Sequence, residues 1–526
     1  MEQYRAILSS EDAEAPKNGS DKRNGLPAEN LEPVSGGCRT RVSHVYCPDD
    51  DCSCDSHHGS EREQDDQMRY TLDSAITLKR WQGSPPYYLV GKGRKLHPLT
   101  EEEDGFLRRC DGQSELPEGF LADRLQASGM IHPCPENTGS PSGRMFTYPN
   151  IHVDNIDWNI TDRCNYNCRH CFHAADNSFP RDEFSLEEAK CFLDDVVTCG
   201  ISSLRLTGGE PTLHPHIREI LTLMREKGIR LATLITNGSR LDGDFLSFLK
   251  AMHPGAEIMI SFDGLSTHDW MRQHPGSEEV ALDAIRRSKA AGFRVAVNCN
   301  ANRKNRSVLI DTVDCLAGEN VDMIRVIRTS EAPRWELNHD NMTLTPEEYY
   351  ELSLELARHY LTSGITAPLI IWQSLYLNGK RRVFACLPVK GAACGFTGKE
   401  LICSAMLKKP SVLANGEITP CTPMAGYFAL HGIHMENVKT VGLQQAMTSG
   451  VFVSAVTARA GEKLLNNAKC GECAYGKSCR GGCPALSIAS GGDMMSSDET
   501  KCAFFYGGYY EKYCGLMKDW KNLNPV

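Results

Sequence analysis

Short apolar runs alternate with amphipathic segments between residues 150 and 345 of this 526-residue chain. The runs have the length of buried strands, and the segments between them repeat their apolar residues at helical spacing. Six strand–helix steps of this kind predict an α/β fold, in which a parallel sheet curls into a partial (β/α)6 TIM-like barrel. Functional loops are then expected at the carboxyl ends of the strands. The predicted strands contain DWNIT, SSLRLTG, RLATLITNG, EIMISFDG, FRVAVNCNAN and VDMIRVIR.

The first helix of this barrel has clear end signals. Ser185 is placed to cap its amino end, and Glu188 follows three residues later, as in a capping box. Gly200 is the predicted stop. The predicted buried face consists of Leu186, Ala189, Phe192, Leu193, Val196 and Val197.

The amino-terminal part lacks this rhythm. Residues 1–66 are rich in Ser, Asp, Glu and Gly, which predicts a disordered polar tail. Nothing in the tail would hold a metal site rigid, so a solvated segment is favoured over a small site there. The candidate ligands of such a site are Cys47, Cys52, Cys54, His57 and His58.

Residues 67–138 predict a small separate domain, β-rich at first and helical later, of winged-helix-like type. ITLKRWQ and PYYLVGKGRKLHPL are its predicted strands, with a turn at Gly91-Lys92-Gly93. Thr100 and Glu103 predict the start of a short helix. A second helix is expected to lead into a closing strand near residue 131.

The carboxyl-terminal part has little apolar periodicity. Residues 346–383 predict a connecting helix and strand, and residues 384–526 a loop-rich domain whose stretch 384–502 holds nine cysteines. Such a region cannot bury a large core, so metal ligation is the natural way to hold it together.

Composition narrows the functional classes. The net charge of −10 argues against a general binder of nucleic acid or anionic membranes. The amino terminus has no apolar segment of a signal peptide, and no run is long enough to span a membrane. With 23 cysteines, the chain is therefore expected in the reducing cytoplasm, where cysteine clusters usually hold metal rather than form disulfides.

The sharpest chemical signal is the loop ITDRCNYNCRHCFHAAD, directly after the first predicted barrel strand. It places Cys164, Cys168 and Cys171 close together, and thiolates are the preferred ligands of iron–sulfur clusters. Three cysteines leave one iron of a four-iron cluster open for a small ligand. A zinc site is the alternative and needs a fourth ligand, for which His170 and His173 are candidates.

This loop resembles the signature of the radical S-adenosylmethionine (SAM) superfamily, in which an aromatic residue or His often precedes the last cysteine, as His170 does here. Gly208-Gly209-Glu210-Pro211 after the second strand is similar to the family's loop around the methionyl amino group. Glycines permit close backbone approach, and carbonyls or a carboxylate accept from an ammonium. Ser261, Asn298 and Asn300 stand at strand ends where relatives place polar contacts to the cofactor, although a purely structural role is equally open for each.

The resemblance implies a mechanism and partners. SAM would chelate the open iron, and one electron would split its sulfonium to give a 5′-deoxyadenosyl radical that abstracts hydrogen from substrate. A flavodoxin- or ferredoxin-type protein is the expected electron donor.

Seven cysteines near the carboxyl terminus resemble the SPASM extension, which binds two auxiliary four-iron clusters, so three [4Fe-4S] clusters are expected in all. The resemblance assigns Cys403, Cys421 and Cys483 to one cluster, and Cys394, with Cys386 second, is the expected fourth ligand; an open iron is the alternative. It assigns Cys470, Cys473, Cys479 and Cys502 to the other. A structural zinc ribbon is the competing interpretation. The remaining cysteines are expected to be small buried residues: Cys110, Cys134, Cys191, Cys199, Cys299, Cys315 and Cys514.

The domain at 67–138 resembles the recognition elements that hold a precursor's leader peptide as an added edge strand. This resemblance implies a maturase of a ribosomally made peptide, forming a thioether first of all, then a carbon–carbon link or an oxidative decarboxylation. Three alternatives stay open: an anaerobic sulfatase-type maturase, a tailoring enzyme for tetrapyrroles or other small molecules, and a non-catalytic iron–sulfur carrier. The sulfatase-type maturases place an Asp directly after the cysteine equivalent to Cys421, where this chain has Thr422. The intact Gly-Gly-Glu-Pro loop counts against the carrier.

Overall fold

The computed structural model describes residues 67–91, 95–134, 144–171, 182–329, 333–430 and 432–523. The predictions for the tail at 1–66, for the turn residues 92 and 93, and for His173 lie outside these ranges. The chain divides into two compact units, one of residues 1–71 and 110–139 and the other of residues 72–109 and 140–526.

The secondary structure follows the predicted order. The strands are β1 (Gln67–Leu72), β2 (Ile76–Trp81), β3 (Tyr87–Val90), β4 (His97–Pro98), β5 (Asp111–Pro117), β6 (Ile131–Pro133), β7 (Met145–Tyr148), β8 (Ile156–Asn159), β9 (Ser203–Thr207), β10 (Arg230–Thr236), β11 (Glu257–Ser261), β12 (Arg294–Ala301), β13 (Met323–Arg328), β14 (Leu369–Ile371), β15 (Leu375–Asn378), β16 (Val383–Cys386), β17 (Ser411–Val412) and β18 (Ile418–Thr419). The helices are α1 (Glu101–Arg108), α2 (Phe120–Ala127), α3 (Leu186–Thr198), α4 (Ile217–Glu226), α5 (Gly243–Met252), α6 (His268–Arg272), α7 (Ser277–Ala290), α8 (Leu309–Gly318), α9 (Pro333–Asn338), α10 (Pro346–Thr362), α11 (Ser404–Lys408), α12 (Thr422–Leu430), α13 (Val438–Val441), α14 (Leu443–Thr448), α15 (Gly450–Thr457), α16 (Ala460–Asn466), α17 (Ala468–Gly471), α18 (Gly476–Cys479), α19 (Pro484–Gly491), α20 (Glu499–Tyr506) and α21 (Tyr509–Leu523).

The larger unit is built on one sheet of eleven strands, in the order β16-β15-β14-β13-β12-β11-β10-β9-β8-β17-β18. Its six central strands β8–β13 are parallel, which confirms the predicted partial barrel. Apolar side chains of these strands, such as Ile258 and Val297, are fully buried, as strands covered on both faces require. Helices follow the strands and cover the sheet.

The carboxyl-terminal region is tied to this sheet through β17, which pairs in parallel with β8 at Ser411 and Asp157. It also packs on α10, where the hydroxyl of Tyr350 donates to the carbonyl of Thr500 at 2.9 Å. The cysteine-rich loops therefore flank the first barrel strand.

Helix α3 confirms its predicted ends and nearly all of its buried face. Ser185 and Glu188 form the capping box, and Gly200 has a φ of 73° after the helix. Ala189, Phe192, Leu193 and Val196 are buried. Val197 was expected on this face but is 46% exposed, because it lies at the edge of the apolar stripe.

The predicted small domain at 67–138 contributes to both units. In the smaller unit β1 lies between β5 and β6, and α2 accompanies them. Strands β2, β3, β4 and β7 form a second sheet in the larger unit, where the buried Trp81 donates to the carbonyl of Cys199 at 3.0 Å. A recognition domain with bounds at 67 and 138 therefore stays a prediction.

Among the described residues, no helix combines the length and apolar character needed to cross a membrane.

Candidate active site and cysteine clusters

The first cysteine loop leaves the carboxyl end of β8, where a barrel places its functional loops. Cys164 and Cys168 are buried around Tyr166, and Cys171 packs against them at the edge. The backbone N–H of Tyr166 donates to Cys164 Sγ at 3.4 Å, and that of Cys171 to the carbonyl of Cys168 at 3.2 Å. The three predicted ligands thus share one small, largely shielded site.

The glycine-rich loop after β9 lies directly against this cysteine loop. The N–H of Gly209 donates to the carbonyl of Thr161, and that of Glu210 to the carbonyl of Arg163, both at 2.7 Å. A Cβ on Gly208 would overlap the Thr161 oxygen, and one on Gly209 would overlap the Arg163 oxygen. Glycine is required here because the two loops approach through their backbones.

Glu210 is fully buried, and its carboxylate holds the ends of two strands together. Oε1 accepts from Thr212 and from the hydroxyl of Thr236 at 2.8 Å, while Oε2 accepts from the N–H of Asn237 at 2.7 Å. Burial raises the pKa of this carboxyl group, and the hydrogen bonds oppose that rise. Because both oxygens are engaged, the backbone carbonyls of the loop are the better acceptors for a ligand ammonium.

The polar candidates on β11 and β12 differ in their contacts. Ser261 ends β11 and lies in register with Asn298. Asn298 donates to Met259 Sδ at 3.1 Å, whereas its Oδ1 is buried without a partner in the described structure. Such an orphaned acceptor suits the hydroxyl or ammonium of a bound cofactor. Asn300 instead contacts His170 Nε2 at 3.0 Å and Asp263 Oδ1 at 3.2 Å.

A buried ion pair behind the loop was not anticipated from the sequence. Arg272 on α6 lies 2.7 Å from Asp263 Oδ2 through its Nε, and its Nη1 donates to Cys168 Sγ at 3.6 Å. Burial opposes ionisation of Asp263, but Arg272 lowers its pKa to about 2. The available signal was Asp263 near the end of a predicted strand with Arg272 nine residues later, and the sequence alone could not connect these two residues to the cysteines.

Thiols on one shared loop are a donor set that suits an iron–sulfur cluster. Within the described ranges no three Cys, His, Asp or Glu residues converge as the ligands of one metal ion do. In a cluster each thiolate binds a different iron, so such convergence is not needed. His170, the described candidate for a fourth zinc ligand, is held by Asn300, and burial lowers its pKa to about 4.

Four of the seven cysteines near the carboxyl terminus line one small cavity. Cys470 lies on α17, Cys473 between α17 and α18, Cys479 on α18 and Cys502 on α20. The side chains of Phe505 and Tyr506 also line the cavity. These are the four residues that the sequence assigned to one auxiliary cluster. Lys469 and Lys501 also line this cavity and offset thiolate charge.

The other three cysteines each stand at the start of a helix. Cys403 and Cys483 are the N-cap residues of α11 and α19, and Cys421 directly precedes α12. Burial raises the pKa of the Cys421 thiol, and the nearby Cys483 and Cys403 add to this rise. The positive end of a helix dipole opposes that rise by favouring a thiolate, as ligation of a metal cluster requires.

A fourth ligand for this group stays a prediction. Cys394 is exposed in a 3-10 turn, and the nearby Lys390 Nζ donates to the carbonyls of Ile402 at 2.8 Å and Gly482 at 2.5 Å, next to Cys403 and Cys483. Cys386 lies on β16. Burial raises the pKa of its thiol, and the nearby Cys514 adds to this rise. The segment of Cys394 therefore runs beside two of the three cysteines, whereas the described influence of a cysteine on Cys386 is the electrostatic one of Cys514.

Cysteines outside these groups follow the expectation in part. Cys110, Cys134, Cys199 and Cys299 are buried, as expected of small core residues. Cys191 and Cys514 are exposed, and Cys315 is half-buried, so for these three the expectation was wrong.

Comparisons with known proteins agree with this geometry. The model of the family described as "Radical SAM superfamily" matches residues 158–314. Fe-coproporphyrin III synthase of Methanosarcina barkeri is 29% identical over 218 residues, 41% of this chain and 54% of that protein. The sporulation killing factor maturation protein SkfB of Bacillus subtilis is 24% identical over 288 residues, 53% of this chain and 66% of that protein. The chain spans about half the length of the first curated relatives it matches.

Among solved structures, Streptococcus suis SuiB bound to its precursor peptide SuiA has the same fold. The TM-score is 0.57 at 14% identity, and the match covers 82% of this chain and 99% of SuiB. A match over 82% of the chain is far longer than residues 158–314, so the likeness extends beyond the part that the family model matches.

Proposed function

We propose that this radical SAM enzyme, whose radical SAM domain covers residues 158–314 and whose fold is that of SPASM-type maturases, acts on a ribosomally made precursor peptide. The bond formed is a thioether or carbon–carbon cross-link. The observation that carries the proposal is the joining, in one chain, of the cysteine and glycine loops at the barrel end to two further cysteine groups.

The barrel residues have distinct tasks. Cys164, Cys168 and Cys171 would hold a four-iron cluster, with one iron left for SAM. When bound, the cluster and SAM supply one-electron cleavage of the sulfonium and a carbon radical that abstracts hydrogen. The carbonyls around Gly208 and Gly209 orient the methionyl ammonium, and Asn298 Oδ1 accepts from the cofactor.

A peptide substrate is supported by an edge strand in the smaller unit. Within the described part of the chain, β5 pairs with β1 and has no strand on its other side. An extended peptide can add to such an edge by main-chain hydrogen bonds. The names of SkfB, a maturation protein, and of SuiB, bound to a precursor peptide, favour the same class of substrate.

The auxiliary cysteines fit a reaction that must dispose of a second electron. Cross-linking removes two hydrogens, and the radical step takes only one of them as a hydrogen atom. Cys403, Cys421 and Cys483 would hold one cluster, and Cys470, Cys473, Cys479 and Cys502 would hold another. Such clusters would supply an acceptor for the remaining electron, its proton passing to solvent, or a ligand position for a substrate thiolate.

A sulfatase-type maturase is less well supported. The residue after Cys421 is Thr422, and its hydroxyl lies 2.6 Å from that of Ser411, inside the sheet connection. No carboxylate base stands at this position.

A tetrapyrrole substrate is the second candidate, because Fe-coproporphyrin III synthase is among the relatives.

The anaerobically reconstituted full chain should be incubated with SAM, dithionite and peptides encoded by short reading frames beside the gene. Loss of two hydrogens from a peptide, with one 5′-deoxyadenosine per cross-link, is the expected result. A parallel incubation with Fe-coproporphyrin III tests the second candidate, and a mass change there without any peptide product would overturn the proposal.

Peptide docking can be tested separately by hydrogen exchange. Adding the precursor peptide should slow amide exchange in residues 111–117, since β5 would gain a second neighbour. Unchanged exchange in β5 with measurable peptide binding would reject the edge-strand role.

A further inference from the structure

A cavity of about 810 Å³ lies at the amino ends of the barrel strands, away from the cysteine loop. Gly200 and Ser202 precede β9, Arg230 begins β10, and Ala256 precedes β11. The glycine and cysteine loops lie at the opposite ends of these strands, about 15–25 Å away at roughly 3.3 Å per residue. The cavity is therefore separate from the proposed SAM site.

Basic side chains dominate its charged lining. Lys79, Arg225 and Arg230 line the cavity, against one carboxylate, that of Asp154. Asp154 is half-exposed and 3.9 Å from His152, and burial lowers the pKa of that imidazole. The resulting positive potential favours an anion inside.

Lys79 is the residue that most strongly indicates a bound anion. Its ammonium lies 5.6 Å from the ring centres of both Trp81 and Tyr148, and in the described structure no carboxylate pairs with it. Burial lowers the pKa of Lys79. A shielded ammonium whose described contacts are aromatic ring faces would be stabilised by a bound anion.

The remaining lining is apolar and well anchored. Leu89, Leu96 and Met252 provide apolar surface, and Arg225 is held at the rim by its bond to the carbonyl of Met252 at 2.8 Å. The nearby Trp81 is fixed by its bond to Cys199. The cavity is thus a preformed mixture of apolar walls and cations, the usual composition of a ligand site.

We propose that this cavity is a second ligand site, which binds an oxyanion, phosphate or carboxylate, carried by a ligand with apolar groups. Two sources offer this chemistry: a small phosphorylated or carboxylated molecule, and an acidic segment of a peptide. Inorganic pyrophosphate and a capped peptide of alternating glutamate and leucine represent them.

Binding of each probe to the full-length chain, with SAM present at saturation, should be measured by calorimetry. The variant Lys79→Met keeps the aliphatic stem but removes the charge, and should weaken binding at least tenfold. Lys190→Met, an equal change of charge on the exposed side of α3, should bind as the wild type does. Pyrophosphate binding alone would assign the site to small phosphate ligands, and peptide binding alone to peptide carboxylates.

A second variant guards against misfolding of the first. Ser202→Phe fills the cavity from an exposed position and should block binding without touching Lys79. Failure of the wild type to bind either probe, or wild-type affinity in both Lys79→Met and Ser202→Phe, would overturn the proposal. Deoxyadenosine formation, measured alongside, tests the proposed radical chemistry independently of this site.

Discussion

The guanidinium of Arg272 donates to the sulfur of Cys168 at 3.6 Å while it pairs with the buried carboxylate of Asp263. A cation that touches a cluster ligand stabilises the added electron when the cluster is reduced. Hydrogen bonds to cluster sulfurs and local charge are the main protein controls of such potentials. Arg272 is therefore expected to act as a positioning residue that sets how readily the cluster proposed at Cys164, Cys168 and Cys171 accepts its electron.

We predict that Arg272→Gln lowers the midpoint potential of this cluster, measured by redox titration with electron paramagnetic resonance. Loss of Arg272 leaves Asp263 buried and unpaired, a cost of about 3–5 kcal/mol in stability. The double variant Asp263→Asn/Arg272→Gln removes both charges, so its potential should fall by less than that of Arg272→Gln, and it should fold better. Arg169→Gln is the matched control, because Arg169 lies on the same loop but pairs with Asp340 at 2.9 Å. Equal potentials in all four proteins would contradict the role of Arg272.

The sequence predicted those features that local patterns encode. Strand β8 and its cysteine loop are contiguous, and the capping box at Ser185 is a four-residue signal, so each could be identified without tertiary information. The pairing of Arg272 with Cys168 spans 104 positions along the chain, and no local pattern specifies it. The hydrogen bond from Trp81 to the carbonyl of Cys199 joins residues 118 positions apart, and no local pattern specifies it either.

Substitution of Gly209 tests the contact between the glycine and cysteine loops. A Cβ at this position would overlap the Arg163 carbonyl, so we expect Gly209→Ala to displace one loop from the other. Overpacking of this kind costs about 1–3 kcal/mol, and each 1.4 kcal/mol of lost binding is about tenfold in affinity. SAM affinity and deoxyadenosine formation should therefore fall about tenfold or more.

The matched control for this change is Gly243→Ala at the start of α5. A Cβ there meets nothing within 4 Å, so SAM affinity should stay within about twofold of the wild type. If both glycine variants bound SAM equally well, the close backbone approach would have no functional meaning.

Acid should weaken the fold through His214. Its Nε2 donates to the carbonyl of Phe184 at 2.7 Å, and its Nδ1 accepts from the N–H of His216 at 3.1 Å. Burial lowers the pKa of this imidazole, so the unfolded chain takes up the proton first as the pH falls. Stability from this group is complete above about pH 6.5 and is lost below it, by at most about 1.4 kcal/mol per pH unit.

Replacement of this imidazole should remove that dependence. We predict that His214→Gln loses less stability than the wild type between pH 7.5 and pH 5.5, in anaerobic urea unfolding followed by circular dichroism. The comparison between the two proteins cancels acid effects on the clusters themselves. A loss of the same size in both proteins would show that His214 is not the group that titrates.

Iron content tests whether the cavity lined by Cys470, Cys473, Cys479 and Cys502 holds the proposed auxiliary cluster. Three four-iron clusters predict about twelve irons per reconstituted chain. Cys502→Ala removes one of four thiolates around a single cavity, and we expect it to lower the iron content by up to about four while the chain still forms deoxyadenosine without peptide. Cys191→Ala, a cysteine exposed on α3, should leave the iron content unchanged.

Simultaneous change of Cys164, Cys168 and Cys171 to Ala should also remove about four irons but abolish deoxyadenosine. Were the Cys502 variant to keep its full iron content, or to bind zinc in place of iron, this cavity would not hold an iron–sulfur cluster.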